Sequence, residues 1–123
     1  MPKWKQAVLA TVCCVGAALA ARADVVIAQI SPQTGPLGGN GTANAVGARA
    51  YFEQVNAQGG VNGHRIRFVV EDDLYKADET VRLLQAVAQR DKPVMFVNLL
   101  GSANVSAVLK QQVLEKLSIP VVG

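Results

Sequence analysis

The chain has 123 residues, half of them hydrophobic, and a formal net charge of +3 at neutral pH. This length allows one domain at most. Three of the twelve basic residues, Lys3, Lys5 and Arg22, lie within the first 23 residues, and the other nine are balanced by nine acidic residues. The chain beyond residue 23 therefore lacks the excess positive charge that nucleic-acid binding requires, which excludes nucleic acid as a partner.

The first 23 residues have the composition of an export signal. A positively charged start is followed by an uncharged, mostly apolar run at 7–21, and Ala21-Arg22-Ala23 supplies a cleavage site. Because this run is shorter than the ~20 residues that cross a bilayer, a secretory signal peptide is favoured over a transmembrane anchor. We expect export to the periplasm with removal of residues 1–23. Cys13 and Cys14 would leave with this segment, so the mature chain from Asp24 has no disulfide and no thiol nucleophile.

Beyond residue 24, short apolar runs alternate with segments of helical periodicity. In chain order the prediction is a strand at 25–30, a loop at 31–41, a helix at 42–58, a strand at 65–71, a helix at 78–90, a strand at 94–97, a third helix, and a strand from 119. Asp78 is expected to cap the second helix. The third helix is expected to run through Val105, Leu109, Val113 and Leu117, which are spaced four residues apart. The alternation of strands and helices indicates a parallel sheet with helices on both faces.

The segment 56–63 joins the first helix to the second strand through two turns. Gly59 or Gly60 can adopt the left-handed conformation at the end of the helix without a Cβ clash, and Asn62-Gly63 is a second turn signal. Taken alone, this segment is a plain helix-to-strand connection.

Three loops are candidates for a binding site, because ligands of open parallel α/β sheets bind at the carboxyl ends of the strands. They are 31–41, 72–77 and 99–104, and each leads into a helix N-terminus, which favours an anion such as a carboxylate. In the third loop, Gly101 would let a ligand approach the backbone closely and Ser102 adds a hydroxyl group. The residues also leave open that Ser102 or Asn104 simply caps the third helix.

Three other patterns suggest chemistry that the rest of the chain does not support. Gly39-Asn40-Gly41 resembles a dinucleotide-binding loop, but the third small residue of that fingerprint is missing. The acidic cluster 71–73 could hold a hard cation, although a solvated strand end before a capped helix explains it without a metal. His64, the only histidine, has no metal-ligand or triad partner at a recognisable spacing. No catalytic residue, metal ligand or cofactor is therefore predicted.

Four segments in a fixed order carry a resemblance to a known family. They are Ser31-Pro32-Gln33-Thr34-Gly35-Pro36, Ala50-Tyr51-Phe52, the turn at 56–63, and Arg65-Ile66-Arg67-Phe68-Val69-Val70-Glu71-Asp72-Asp73. Together they resemble the N-terminal lobe of the type I periplasmic solute-binding proteins, the branched-chain amino-acid receptors of ABC importers. The resemblance implies an α/β fold with a doubly wound parallel sheet of flavodoxin-like order 2-1-3-4. Because the family's members are several times longer, 24–123 is expected to be a partial, truncated N-terminal lobe that binds no ligand tightly alone.

The resemblance also implies which residues meet the ligand. In this family the third loop offers the α-carboxylate of an amino acid a Ser or Thr hydroxyl and backbone amides, which correspond to Gly101, Ser102 and Ala103 here. The first loop also lines the cleft, through Thr34 and Asn40 in this chain. Asn40 stands where leucine-type receptors have a tyrosine.

The second loop departs from the leucine-type receptors. Tyr75 is expected either to form an aromatic wall of the cleft or to be an ordinary exposed loop tyrosine. Those receptors join the second and third loops by a disulfide, and the positions near it are Tyr75 and Leu100 here, so the bridge is absent. These departures argue against leucine-type specificity more than they argue against membership of the family.

The function that the resemblance implies is the extracytoplasmic capture of a small solute, a branched-chain or related amino acid. The solute would be delivered to an inner-membrane ABC permease, without a cofactor and without catalysis. Two alternatives remain, namely a ligand-sensing ectodomain that shares this lobe and an exported α/β enzyme.

Overall fold

The computed structural model describes residues 22–123, so the predicted export signal lies outside the described residues except for its last two. The elements in chain order are β1 (Val25–Ile30), α1 (Gly38–Ala57), β2 (Ile66–Glu71), α2 (Ala77–Asp91), β3 (Met95–Val97), α3 (Ser102–Lys110), α4 (Val113–Leu117) and β4 (Val121–Val122). Within this range no helix combines the length and the apolar character needed to cross a membrane.

The four strands form one parallel sheet in the order β2-β1-β3-β4, which confirms the predicted α/β fold and strand order. β1 lies in the middle, where Ile27 pairs with Phe68 of β2 on one side and with Met95 of β3 on the other. Five of its six residues are buried, as the continuous apolar run predicted. All four strands run in the same direction, so their carboxyl ends meet at one edge.

Successive residues of β1 point to opposite faces of the sheet, and helices cover both. Ala28 and Ile30 belong to a fully buried cluster with Leu84 of α2 and Val108 of α3. Each such large aliphatic side chain contributes about 1.5–3 kcal/mol through burial. On the other face α1 packs on β2, where the rings of Phe52 and Phe68 meet edge to face with centroids 5.1 Å apart.

The first helix begins at Gly38, four residues before the predicted start, so the prediction of a loop through Gly41 was wrong. Gly38 and Gly41 are buried where the helix crosses the carbonyl groups of the preceding segment. A Cβ at Gly41 would stand 1.7 Å from the carbonyl oxygen of Pro32. Glycine disfavours a helix locally, but here it permits a backbone contact that outweighs the propensity.

The prediction of one continuous third helix was also wrong. Gln112 adopts a left-handed conformation with φ of 51°, which separates α3 from α4. The four-residue spacing therefore does not form one face, since Leu109 is 57% exposed while its neighbour Val108 is 1% exposed. Asp78 does not cap α2 either, because that helix begins at Ala77 after Lys76 and has no side-chain cap.

The turn between α1 and β2 has the predicted conformation. Gly59 and Gly60 both have positive φ angles, of 103° and 76°. A Cβ at Gly60 would lie 2.0 Å from the carbonyl oxygen of His64, so glycine is required there. His64 is half-buried and its Nδ1 lies 2.8 Å from the carbonyl oxygen of Ala23.

Candidate functional site

Asp72 joins the first two loops at the carboxyl edge of the sheet. Its Oδ1 accepts hydrogen bonds from the backbone N–H groups of Gln33 and Leu74, each at 2.9 Å. Its Oδ2 accepts one from the Thr34 hydroxyl at 2.6 Å. Thr34, a predicted ligand contact, therefore has a role in fixing the first loop to the second.

These hydrogen bonds control the ionisation of Asp72. Burial by itself raises the pKa of this carboxyl, but the hydrogen bonds from the Thr34 hydroxyl and from backbone N–H groups outweigh it, and the net pKa is lowered. Because the folded pKa lies below the unfolded value of about 3.9, the carboxylate stabilises the fold above that pH. The stabilisation is lost as the pH falls through the folded pKa.

The variant Thr34→Val is expected to raise the pKa of Asp72 toward its ordinary value, since the strongest donor to the charged form is removed. NMR titration of the side-chain carboxyl measures this shift. Thr42→Val is the matched control, because the Thr42 hydroxyl bonds to the Gln33 carbonyl and not to Asp72. Equal pKa values in the wild type and Thr34→Val would contradict the assignment.

Asp73 is fully buried and ties the second loop to two helices. Its Oδ1 accepts a hydrogen bond from the backbone N–H of Tyr75 at 2.9 Å, and its Oδ2 accepts one from the Thr80 hydroxyl at 2.7 Å. The side-chain amide of Asn104, in the first turn of α3, donates to the Thr80 hydroxyl at 2.7 Å. One buried carboxylate thus fixes the positions of the second loop, α2 and α3 relative to each other.

The acidic cluster 71–73 differs from the solvated strand end that was predicted. Glu71 forms an ion pair with Arg90, and the other two carboxylates accept the hydrogen bonds described above. Over residues 22–123, no group of three His, Cys, Asp or Glu side chains is placed to hold a metal ion. The cluster joins parts of the fold to each other.

Tyr75 and Gly101 bring the second and third loops into contact. Leu74 and Tyr75 both have positive φ angles, of 52° and 59°, an uncommon conformation for side chains of this size. A Cβ at Gly101, whose φ is 107°, would lie 2.5 Å from Cε2 of Tyr75. The tyrosine ring therefore lies directly against Gly101, whose positive φ favours glycine, and 41% of Tyr75 stays exposed.

Ser102 is the first residue of α3, and Gly101 precedes it as the N-terminal cap position. No side-chain hydrogen bond caps this helix and its first turn carries no acidic residue. The first main-chain bond joins the N–H of Val105 to the carbonyl of Gly101. The alternative that Ser102 or Asn104 caps the helix is therefore wrong: Ser102 is exposed, and the side chain of Asn104 is buried.

The remaining predicted site residues are placed differently. Ala103 is exposed in the first turn of α3, beside Ser102. Asn40 lies in the first turn of α1 and not in a loop; it is exposed, and its backbone N–H bonds to the carbonyl of Leu37. The hydrogen bonds that join the loops do not involve the Asn40 side chain. The structure thus brings the second and third loops together around Tyr75 and Gly101, with Thr34 attached through Asp72.

Sequence reasoning missed a buried polar network beneath these loops. Gln29 is fully buried in β1, and its Nε2 donates to the Ser31 hydroxyl at 2.7 Å and to the Gly41 carbonyl at 3.1 Å. Its Oε1 accepts a hydrogen bond from Asn98, which follows β3, at 3.2 Å. A glutamine within an otherwise apolar strand was the available signal. The network connects β1, β3 and the start of α1 below the candidate site.

Comparison with solved structures finds the same fold. A substrate-binding periplasmic protein from Ralstonia solanacearum is 39% identical with a TM-score of 0.80, over 81% of this chain and 28% of that one. An ABC-type branched-chain amino acid transporter protein from Rhodopseudomonas palustris is 25% identical with a TM-score of 0.72, over 80% and 26%.

Comparison of the amino-acid sequence with known proteins leads to the same family as the structural comparison. An amino acid binding protein from Pseudomonas aeruginosa is 35% identical over 77 residues, which are 63% of this chain and 21% of that protein. The chain therefore spans between a fifth and three-tenths of the length of these relatives. Residues 24–123 match the family model that describes the periplasmic binding proteins. The fold, the strand order and this match agree with the resemblance found in the sequence, and the chain belongs to the periplasmic binding protein family.

Proposed function

We propose that the chain forms one wall of an extracytoplasmic binding site for a branched-chain or related amino acid. The observation that carries the proposal is the uncapped N-terminus of α3, with Gly101 and the exposed Ser102 beside the ring of Tyr75. Backbone N–H groups at a helix N-terminus, without an acidic side chain in the first turn, suit the carboxylate of an amino acid. The partly exposed tyrosine ring next to them suits an apolar ligand side chain.

The names of the relatives support the same ligand class. The Pseudomonas aeruginosa protein is named an amino acid binding protein, and the Rhodopseudomonas palustris structure a branched-chain amino acid transporter. In the full-length protein a second lobe would close over the solute, and an inner-membrane ABC permease would receive it. Recognition needs no catalytic group in this scheme. The proposed role is therefore that of a periplasmic binding protein and not that of an enzyme.

A thermal-shift screen of the full-length protein against the common amino acids tests the proposal, since a ligand that binds only the folded state raises the melting temperature. We expect the largest increase with leucine, isoleucine, valine or a close relative. An unchanged melting temperature with every amino acid, at millimolar concentration, would reject the proposed ligand class.

Ser102→Ala is expected to weaken solute binding by the full-length protein by about 1–3 kcal/mol, the cost of losing a hydrogen bond to a charged group. Isothermal titration calorimetry measures the change. Ser106→Ala, one helical turn further along α3, should leave the affinity nearly unchanged because that hydroxyl lies away from the helix N-terminus. Equal losses in both variants would show that the carboxylate binds elsewhere.

A further inference from the structure

A groove of about 260 Å³ lies between α1 and the outer strand β2. Its lining residues are Arg49, Phe52, Glu53, Asn56, Arg65, Ile66, Arg67 and Phe68. β2 begins at Ile66, so the groove lies toward the amino end of the sheet, away from the three loops at its carboxyl edge. A ligand in the groove would therefore leave the proposed solute site free.

The groove lining has an excess of positive charge from Arg49 and Arg65 over Glu53, since the third lining arginine, Arg67, is paired with Asp91. The guanidinium group of Arg49 lies 5.5 Å from the centre of the Phe68 ring, which orients it at the groove. The guanidinium group of Arg67 lies 3.1 Å from the carboxylate of Asp91 at the end of α2, so this arginine is paired within the fold. Arg65 is exposed. Arginine presents a planar set of donors that matches a carboxylate, so the groove favours an acidic partner.

Among residues 22–123, β2 is the outer strand of the sheet, and the side of β2 away from β1 pairs with no further strand. The backbone of Arg65 and that of Glu71 bond to β1, so in a parallel ladder the alternate residues Ile66, Phe68 and Val70 direct their N–H and C=O groups outward. An exposed edge of this kind can accept a further strand from another chain.

Asn56 already occupies the first of these outward positions. Its side-chain amide donates to the Ile66 carbonyl at 2.9 Å, and its Oδ1 accepts the Ile66 N–H at 2.7 Å. An amide group is thus held at the edge of β2 in the way that a peptide of a neighbouring strand would be. The next outward groups belong to Phe68 and Val70, next to the arginines.

We propose that an extended acidic segment of a partner protein adds to β2 as a further strand and places its carboxylates against Arg49 and Arg65. A second copy of this chain fits poorly, because pairing two identical edges brings the same arginines together. A free phosphate or carboxylate ion could meet the arginines but makes no use of the outward backbone groups at Phe68 and Val70.

Three labelled ten-residue peptides test this with the full-length protein. The first alternates glutamate and valine, the second has lysine in place of glutamate, and the third is the acidic peptide with N-methylated backbone amides. Fluorescence anisotropy reports binding, and hydrogen-exchange mass spectrometry reports protection of 66–71. We expect only the first peptide to bind, with slower exchange over β2, and with an affinity that falls as salt rises.

The double variant Arg49→Ala/Arg65→Ala is expected to bind this peptide at least ~10-fold more weakly, since two charge-assisted contacts are removed. Arg82→Ala is the matched control, because Arg82 is an exposed arginine on α2 that pairs with Glu79. Unchanged melting temperatures would show that the variants remain folded. No binding of the acidic peptide, or equal binding of the N-methylated peptide, would overturn strand addition. Full competition by inorganic phosphate without any protection of β2 would also overturn it.

Discussion

Asp73→Ala is expected to lower the free energy of unfolding of the full-length protein by about 2–4 kcal/mol. The substitution removes a fully buried carboxylate that accepts hydrogen bonds from the backbone of Tyr75 and from the Thr80 hydroxyl. The Tyr75 N–H would lose its partner, which costs about 1–3 kcal/mol, while the Thr80 hydroxyl keeps the Lys76 carbonyl at 3.1 Å; the vacated volume adds to the loss. Urea unfolding followed by circular dichroism measures the change.

Asp78→Ala provides the control for this loss. Asp78 is exposed in the first turn of α2, so its removal should cost less than about 1 kcal/mol, through the helix dipole alone. Asp73→Ala should also weaken solute binding, because the carboxylate positions Tyr75 and, through Thr80 and Asn104, the start of α3. Equal destabilisation by the two alanine variants would mean that the buried network contributes little.

The second large effect is expected at Gly41 in α1. A Cβ at this position would stand 1.7 Å from the carbonyl oxygen of Pro32 and 2.8 Å from its carbon, and both belong to the backbone. Gly41→Ala must therefore displace the first loop or the helix, at a cost of about 1–3 kcal/mol or more. The displacement would also disturb the bond between the Gly41 carbonyl and Gln29.

Gly47 is the matched control within the same helix, because a Cβ there would meet nothing within 4 Å. Gly47→Ala should stabilise the protein by about 0.5–1 kcal/mol, since alanine is the better helix former. Opposite signs for the two glycine-to-alanine changes are the expected result of parallel thermal unfolding experiments. A neutral or stabilising Gly41→Ala would contradict the close backbone approach.

The parallel sheet could be predicted from the sequence because its signals are local. The apolar run at 25–30 and the alternation of strand and helix patterns predicted a parallel α/β sheet, and the family resemblance implied the strand order that the structure has. The start of α1 could not be predicted, because Gly38 and Gly41 are helical through contacts with residues in the preceding segment. The break at Gln112 lacks a sequence signal as well, since a left-handed glutamine looks like any other polar helix residue.

The location of the candidate site followed from topology, since loops at the carboxyl ends of parallel strands must meet. The hydrogen bonds that connect the loops within the site could not be predicted from topology. Thr34 bonds to Asp72 across 38 positions in the sequence, and Asn104 lies 31 positions from Asp73. Hydrogen bonds between such distant residues leave no local pattern, so Asn104 was considered only as a helix cap. Tyr75 was placed correctly in the second loop, but its contact with Gly101 depends on two positive φ angles that the sequence does not indicate.

The contact between Tyr75 and Gly101 has a consequence for where and how these loops can form. A disulfide between these loops, as the resemblance to leucine-type receptors would imply, requires an oxidising compartment and an oxidation step. In this chain the connection between the loops is an aromatic ring packed against a glycine, and it forms with the fold itself. The geometry of this part of the site should therefore be the same in the presence of a thiol reductant, and the loops should pair equally well in a reducing cytoplasm and in the periplasm.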